Sequence, residues 1–115
     1  MSVFNIEKST ISNQNYRWVS KTTQTLQLVF MSLKAGEEIG MEVHENVTQF
    51  IRVESGNGLA IVNGISYELN NESAVWVPPG IYHNIINNGV VPLKLYTLYS
   101  PPEHPSDRIQ QTKPS

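Results

Sequence analysis

Turn signals recur about every 8 to 12 residues along this chain, and between them lie short runs of alternating or apolar side chains. The clearest case is residues 59–69, where Asn63-Gly64 separates Leu59-Ala60-Ile61-Val62 from Ile65-Ser66-Tyr67-Glu68-Leu69. Asn-Gly between two such runs favours a type I′ turn, which needs positive φ at both central residues and matches the twist of a two-residue hairpin. Further strand-like runs fall at 26–33, 49–54, 74–77, 83–87 and 92–99, with turns at 34–36, 45–47, 55–58, 70–73 and 78–80. No segment carries sustained helical periodicity with caps. The spacing therefore predicts an all-β sandwich or barrel.

At 115 residues the chain has the length of one domain. Residues 1–24 are rich in Ser, Asn, Gln and Thr, with Phe4, Tyr16, Trp18 and Val19 as apolar anchors; they read as an irregular N-terminal arm with a short strand near 16–19. Residues 25–100 form the barrel domain. Residues 101–115 hold four of the seven prolines and read as an extended tail. The net charge of −2, with no Lys/Arg cluster, argues against nucleic acid as a partner. No apolar run has the length of a membrane span and the first residues lack the pattern of a signal peptide, so the expected location is the cytoplasm. With no cysteine there is neither a disulfide framework nor a thiolate site.

The stretch 36–49 is unusual because it places polar groups at positions that a strand gives to the core. Glu42 and His44 are two apart, so on a strand they share a face. In the run Gln49-Phe50-Ile51-Arg52-Val53-Glu54, alternation puts Gln49 inward with Ile51 and Val53 and turns Arg52 outward. Inward polar groups must be satisfied, by hydrogen bonds or by a metal.

The spacing Gly36-x5-Glu42-x-His44-x4-Gln49-x6-Gly56 resembles the first motif of the cupins, in which the family has His, His and Glu where this chain has Glu42, His44 and Gln49. Pro78-x-Gly80-x2-His83-x3-Asn87 resembles the second motif, with Glu72 where its leading glycine usually stands. The resemblance implies a double-stranded β-helix, or jelly-roll barrel, holding a metal through side chains of both motifs. His44 and His83 match the family's ligands in type; Glu42 and Gln49 match in position. Two imidazoles and a carboxylate form a set that binds Fe(II) and related ions with open coordination positions, and a divalent Fe, Mn, Ni, Co or Zn ion suits it. Gln49 either adds an amide oxygen to the ion or orients a ligand from behind. The competing reading is a pair of hydrogen-bonded histidines in a barrel without metal, where Glu42 could act as a general base.

The expected function is that of a small cupin whose mononuclear metal site binds a small polar molecule, sugar- or keto-acid-like, for isomerase or lyase chemistry. The alternatives are an Fe(II)-type dioxygenase and a non-catalytic ligand-binding cupin. The ending at 95–104 also resembles small cupins labelled mannose-6-phosphate isomerase-like. Trp76, Tyr82, Tyr96 and Tyr99 read as core or interface rather than pocket wall. Arg52 reads as a surface or interface residue, and His104 as part of a surface tail in preference to a lid over the barrel mouth. The expected assembly is a homodimer, with Phe4, Tyr16 and Trp18 of the arm crossing to the partner.

Overall fold

In the computed structural model, which describes residues 2–115, the alternating runs pair into two antiparallel sheets. A short helix, α1 (Ile6–Ser12), precedes β1 (Arg17–Thr22), β2 (Gln27–Leu33), β3 (Thr48–Ser55), β4 (Gly58–Val62), β5 (Ile65–Leu69), β6 (Ala74–Val77), β7 (His83–Ile86), β8 (Leu93–Ser100) and β9 (Ile109–Gln110). The larger sheet has the order β6-β3-β8-β2-β1-β9 and the smaller β5-β4-β7. Their inner faces enclose one core, the expected all-β jelly roll. The β4–β5 hairpin turns on Asn63 (φ 51°) and Gly64 (φ 79°), both positive as a type I′ turn requires.

Register explains which residues fill the core. On β3, Gln49, Ile51 and Val53 point inward, opposite Tyr99, Thr97 and Leu95 of β8. On its other edge β8 pairs the same three residues with Gln27, Val29 and Met31 of β2. Leu33 and Leu93 close the row, and neither retains any exposure.

The N-terminal arm is more ordered than its composition suggests. Asn5 caps α1 by accepting from the backbone N–H of Lys8 at 2.9 Å, and α1 packs on β2, β3 and β8. Glu54, on the outward face of β3, is buried and pairs with Arg52 at 3.3 Å. Arg52 does face outward, but into this ion pair. β1 is a full member of the larger sheet, and Trp18 stacks on Phe30 of the same chain with ring centroids 5.1 Å apart. Tyr16, 4% exposed, packs into its own core. The extended tail is tied to the larger sheet: β9 pairs Gln110 with Arg17 and Ile109 with Trp18.

The stretch 36–47 is not a continuous strand. It runs beside β7 through isolated bridges at Glu38–Ile86 and Glu42–His83. Gly40, with φ 107°, breaks the pairing between them, and its N–H donates to Asn84 Oδ1 at 2.8 Å. Among the described residues no helix is long and apolar enough to cross a membrane.

Candidate metal centre

Glu42 and His83, far apart in sequence, are held side by side by the backbone. The Glu42 N–H donates to the His83 carbonyl at 2.8 Å, and the His83 N–H returns a bond to the Glu42 carbonyl at 2.9 Å. Directly opposed residues of an antiparallel pair project from the same face. His44 is fixed separately: its carbonyl accepts from the N–H of Gly80, in the Pro78-Pro79-Gly80 turn that leads into β7. Both expected motifs thus converge although His44 lies outside any strand.

The donor atoms of Glu42, His44 and His83 all lie within 4.8 Å of one another. Glu42 Oε2 is 3.2 Å from His44 Nε2 and 3.9 Å from His83 Nε2. Gln49 joins them, its Oε1 2.8 Å from His83 Nε2 and its Nε2 donating to Thr97 Oγ1 at 3.0 Å. Donors that share one ion at bond lengths of roughly 2.0–2.2 Å stand about 3–4 Å apart, so the spacing fits a single ion.

The hydrogen-bond roles fit one as well. His83 Nδ1 lies 2.9 Å from the Ile81 carbonyl, an acceptor, so an ion bound at Nε2 leaves the ring proton a partner at Nδ1. His44 lies between two carboxylates, its Nδ1 3.2 Å from Glu103 Oε1 and its Nε2 3.2 Å from Glu42 Oε2. Its Nε2 is buried without a hydrogen-bond partner. With both ring protons at Nδ1, Glu42 Oε2, His44 Nε2, His83 Nε2 and Gln49 Oε1 turn acceptors toward a common space. A cation resolves that conflict, and the residues present fit a divalent metal of mixed N/O preference.

Two residues of the tail belong to the site's surroundings, and the reading of the tail as a surface feature is corrected here. Gln27, fully buried on β2, clamps the tail: its Nε2 donates to the His104 carbonyl at 2.8 Å, while its Oε1 accepts from the N–H groups of Glu103 at 3.1 Å and His104 at 2.9 Å. The clamp brings Glu103 to His44 and lays the His104 ring edge-on against Tyr99, centroids 5.1 Å apart. Burial, then the positive charges of Arg17 and Arg108 and the nearby His44, pushes the His104 imidazole down to about 4. Burial, reinforced by Glu42, raises the Tyr99 phenol well above its ordinary range, so it stays a neutral hydroxyl 3.3 Å from His104 Nε2. Tyr99 also meets the His44 ring edge-on, at 6.0 Å between centroids. Of the four aromatics taken for core or interface, Tyr99 is a core residue that also borders His44, whereas Trp76 and Tyr82 are exposed and Tyr96 lies on the outward face of β8. Glu103 carries no signal in its own neighbourhood; the inward glutamine at position 27 was the available clue that something must come to meet it.

Comparison with known proteins agrees with the fold. Residues 29–99 match the model of the cupin domain family Cupin_2. The chain belongs to that family. This cupin is 42% identical over 117 residues to Bacillus subtilis YrkC; the alignment takes in 96% of the chain and 63% of YrkC, so the chain spans under two thirds of that relative. It superimposes on the crystal structure of BH2720 from Bacillus halodurans with a TM-score of 0.94 and 38% identity, over 96% of this chain and 88% of the other. A more distant likeness, to a predicted oxalate decarboxylase of Thermotoga maritima, has a TM-score of 0.65 and 21% identity over 67% of each chain, and bears on the fold alone.

Proposed function

We propose that this cupin holds one divalent transition-metal ion through Glu42, His44 and His83, with Gln49 at its edge, and uses it to bind a small polar molecule bearing carbonyl or hydroxyl oxygens. The observation that carries the reading is the convergence of four acceptor atoms, one of them a buried imidazole nitrogen without a partner. A bound ion would supply Lewis-acid polarisation of a ligand oxygen. The protein's own part is orientation and access. The Ile81 carbonyl and Glu103 stand where they would hold the ring protons of His83 and His44 on the far nitrogens, turning both Nε2 atoms toward a bound ion. Thr97, through the Gln49 amide, fixes a further oxygen beside His83. His83 and Gln49 form the closed back of the site, 3% and 1% exposed, while the Glu42 side chain retains 28% exposure and marks the side from which a ligand enters. At that open side the Glu42 carboxylate is also the group placed to take a proton from a bound hydroxyl or from a carbon next to a carbonyl. Isomerisation or elimination on a sugar- or keto-acid-like substrate needs those parts.

The test is metal content and affinity in protein purified without an affinity tag. The expected result is binding of one equivalent of Mn(II), Fe(II), Ni(II), Co(II) or Zn(II) in isothermal titration, with a rise in melting temperature, and a steep loss of affinity in His83→Ala. No uptake of any of these ions, or an unchanged affinity in His83→Ala, overturns the reading.

A further inference from the structure

At the apolar end of the larger sheet, alternation with inward Leu33 and Leu93 turns Ser32 and Lys94 outward, where they stand opposite each other in register. Lys34 follows two positions after Ser32, just past the end of β2. The Tyr16 N–H donates to the Gln111 carbonyl at 3.2 Å, and that bond draws the end of the tail, with Lys113, to the same place. Lys34, Lys94 and Lys113, from three separate segments, thus line one cleft of about 310 Å³ together with Gln14, Ser32 and Thr112. None of the metal-centre donors lines it.

The three charges are not answered from within the protein. None of the ion pairs among the described residues involves a lysine. Glu37 is the carboxylate that borders the cleft, and its Oε1 accepts from the Lys34 backbone N–H at 2.7 Å, inside the turn between them. Lys94 is half-buried, and its Nζ donates to the Asn13 carbonyl at 2.5 Å. That bond fixes the ammonium group but leaves its charge, since the acceptor is neutral. Burial holds the Lys94 ammonium below its usual titration range, with no carboxylate pulling the other way. In a chain of net charge −2 with eight Lys and Arg residues, three of them at one cleft make a local field of the opposite sign.

The donor types select the kind of anion. No arginine lines the cleft, so it lacks the planar fork that matches a carboxylate. Three ammonium groups act as point charges whose donors rotate freely, which suits a tetrahedral dianion met from several sides. The volume is in the range of small-molecule sites and leaves room for an organic group beside the phosphate.

We propose that this cleft is an anion site, separate from the metal centre, that binds the phosphate group of a small phosphorylated molecule through Lys34, Lys94 and Lys113. The competing role for Lys94 is a clamp on the connection between α1 and β1 through Asn13, which would leave phosphate without effect.

The experiment is isothermal titration of inorganic phosphate, and of glycerol phosphate as its ester, into the full chain at constant ionic strength with EDTA present, so that no metal ion takes part. The expected outcome is binding of both probes by wild type, weaker by about tenfold or more in Lys94→Met, the scale of a lost charge-assisted hydrogen bond, and unchanged in His83→Ala. Absence of binding by wild type, or wild-type affinity in Lys94→Met, overturns the proposal. A loss of phosphate affinity in His83→Ala overturns it too, because the anion would then sit at the histidines. If Lys94→Met fails to fold, Lys113→Gln in the tail decides: a several-fold loss of affinity supports the site, and wild-type affinity overturns it.

Discussion

The inner face of the larger sheet has two ends of opposite character. At one end Leu33, Leu93, Met31, Leu95 and Val53 sit in register, all without exposure. At the other, Tyr99 lies between Gln27 and Gln49, with Thr97 one step inward. The strands and the alternation are the same; only the side chains change. The apolar end needs volume and nothing else, since burial and close packing are non-directional. Every polar group at the other end needs a named partner, and the sheet supplies only some of them: Thr22 for Gln27 and Thr97 for Gln49. Gln27 takes the tail at Glu103 and His104, and Gln49 takes His83. The polar end therefore recruits segments with little pairing of their own, 36–47 and 101–104, and those segments bring Glu42, His44 and Glu103. One end secures the fold so that the other can hold groups that fold stability alone would not select.

If the two ends are separable, damage to one should spare the other. Leu95→Ala empties space at the fully buried apolar end. It should destabilise the chain by about 2–5 kcal/mol in urea unfolding, the range for a truncated core leucine. Metal affinity of the molecules that remain folded should stay at the wild-type value. A parallel fall in metal affinity would show that the donors depend on core packing directly, and the division would not hold.

Glu103→Gln probes the opposite end. The contact between Glu103 and His44 Nδ1 is partly exposed, with 31% of the Glu103 side chain accessible, so its share of global stability should be under about 1 kcal/mol. Its effect on the ion should be larger, because a carboxylate behind a ligating histidine fixes the ring and its tautomer. Removing such a group lowers metal affinity by about 10–100-fold. Titration of Mn(II) into wild type and variant, beside their urea curves, separates the two quantities. Affinity within a factor of two of wild type would mean that His44 is positioned by the Gly80 bond alone.

Much of the apolar end was legible in the sequence, because alternation at Ile51/Val53 and the Asn63-Gly64 turn each state a local rule that the tertiary structure obeys. At the polar end, Glu42, His44, Gln49 and His83 could be found by spacing, since two motifs in order constrain one another even where residue types are exchanged. The strand geometry assumed for Glu42 and His44 did not hold, yet the convergence survived because backbone bonds to His83 and Gly80 set it. Helix α1 went unread for a physical reason: its seven residues, IEKSTIS, are too short to show a period and are rich in weak helix formers, and packing on the sheet supports them. Glu103 and His104 were hidden because their partners are Gln27, His44 and Tyr99. No local pattern in a proline-rich tail announces a contact made with a distant strand.

The smallest expected effect tests whether the tail stays closed on the polar end in solution. The His104 imidazole titrates near 6.5 when solvated and is pushed down to about 4 in the fold. A depressed histidine favours the folded state while it is neutral, so its contribution is fully present above about pH 6.5. As the pH falls from there toward 4, the unfolded chain takes up a proton that the folded site refuses, and stability drops; below about 4 the folded form is protonated too and the loss stops. Because the ring is only partly shielded, solvent screening trims the effect to roughly 1 kcal/mol. Urea unfolding at pH 7 and pH 4.5 should show wild type losing that much more than His104→Gln, which has no proton to gain. Parallel losses in the two proteins would place His104 in water with the tail open, and Gln27 would then keep its bond to Thr22 Oγ1 but hold a buried amide oxygen whose partners have left. The inner face could not tolerate that without further rearrangement, since an amide oxygen with no partner in the barrel is far more expensive than the modest contact it would have lost.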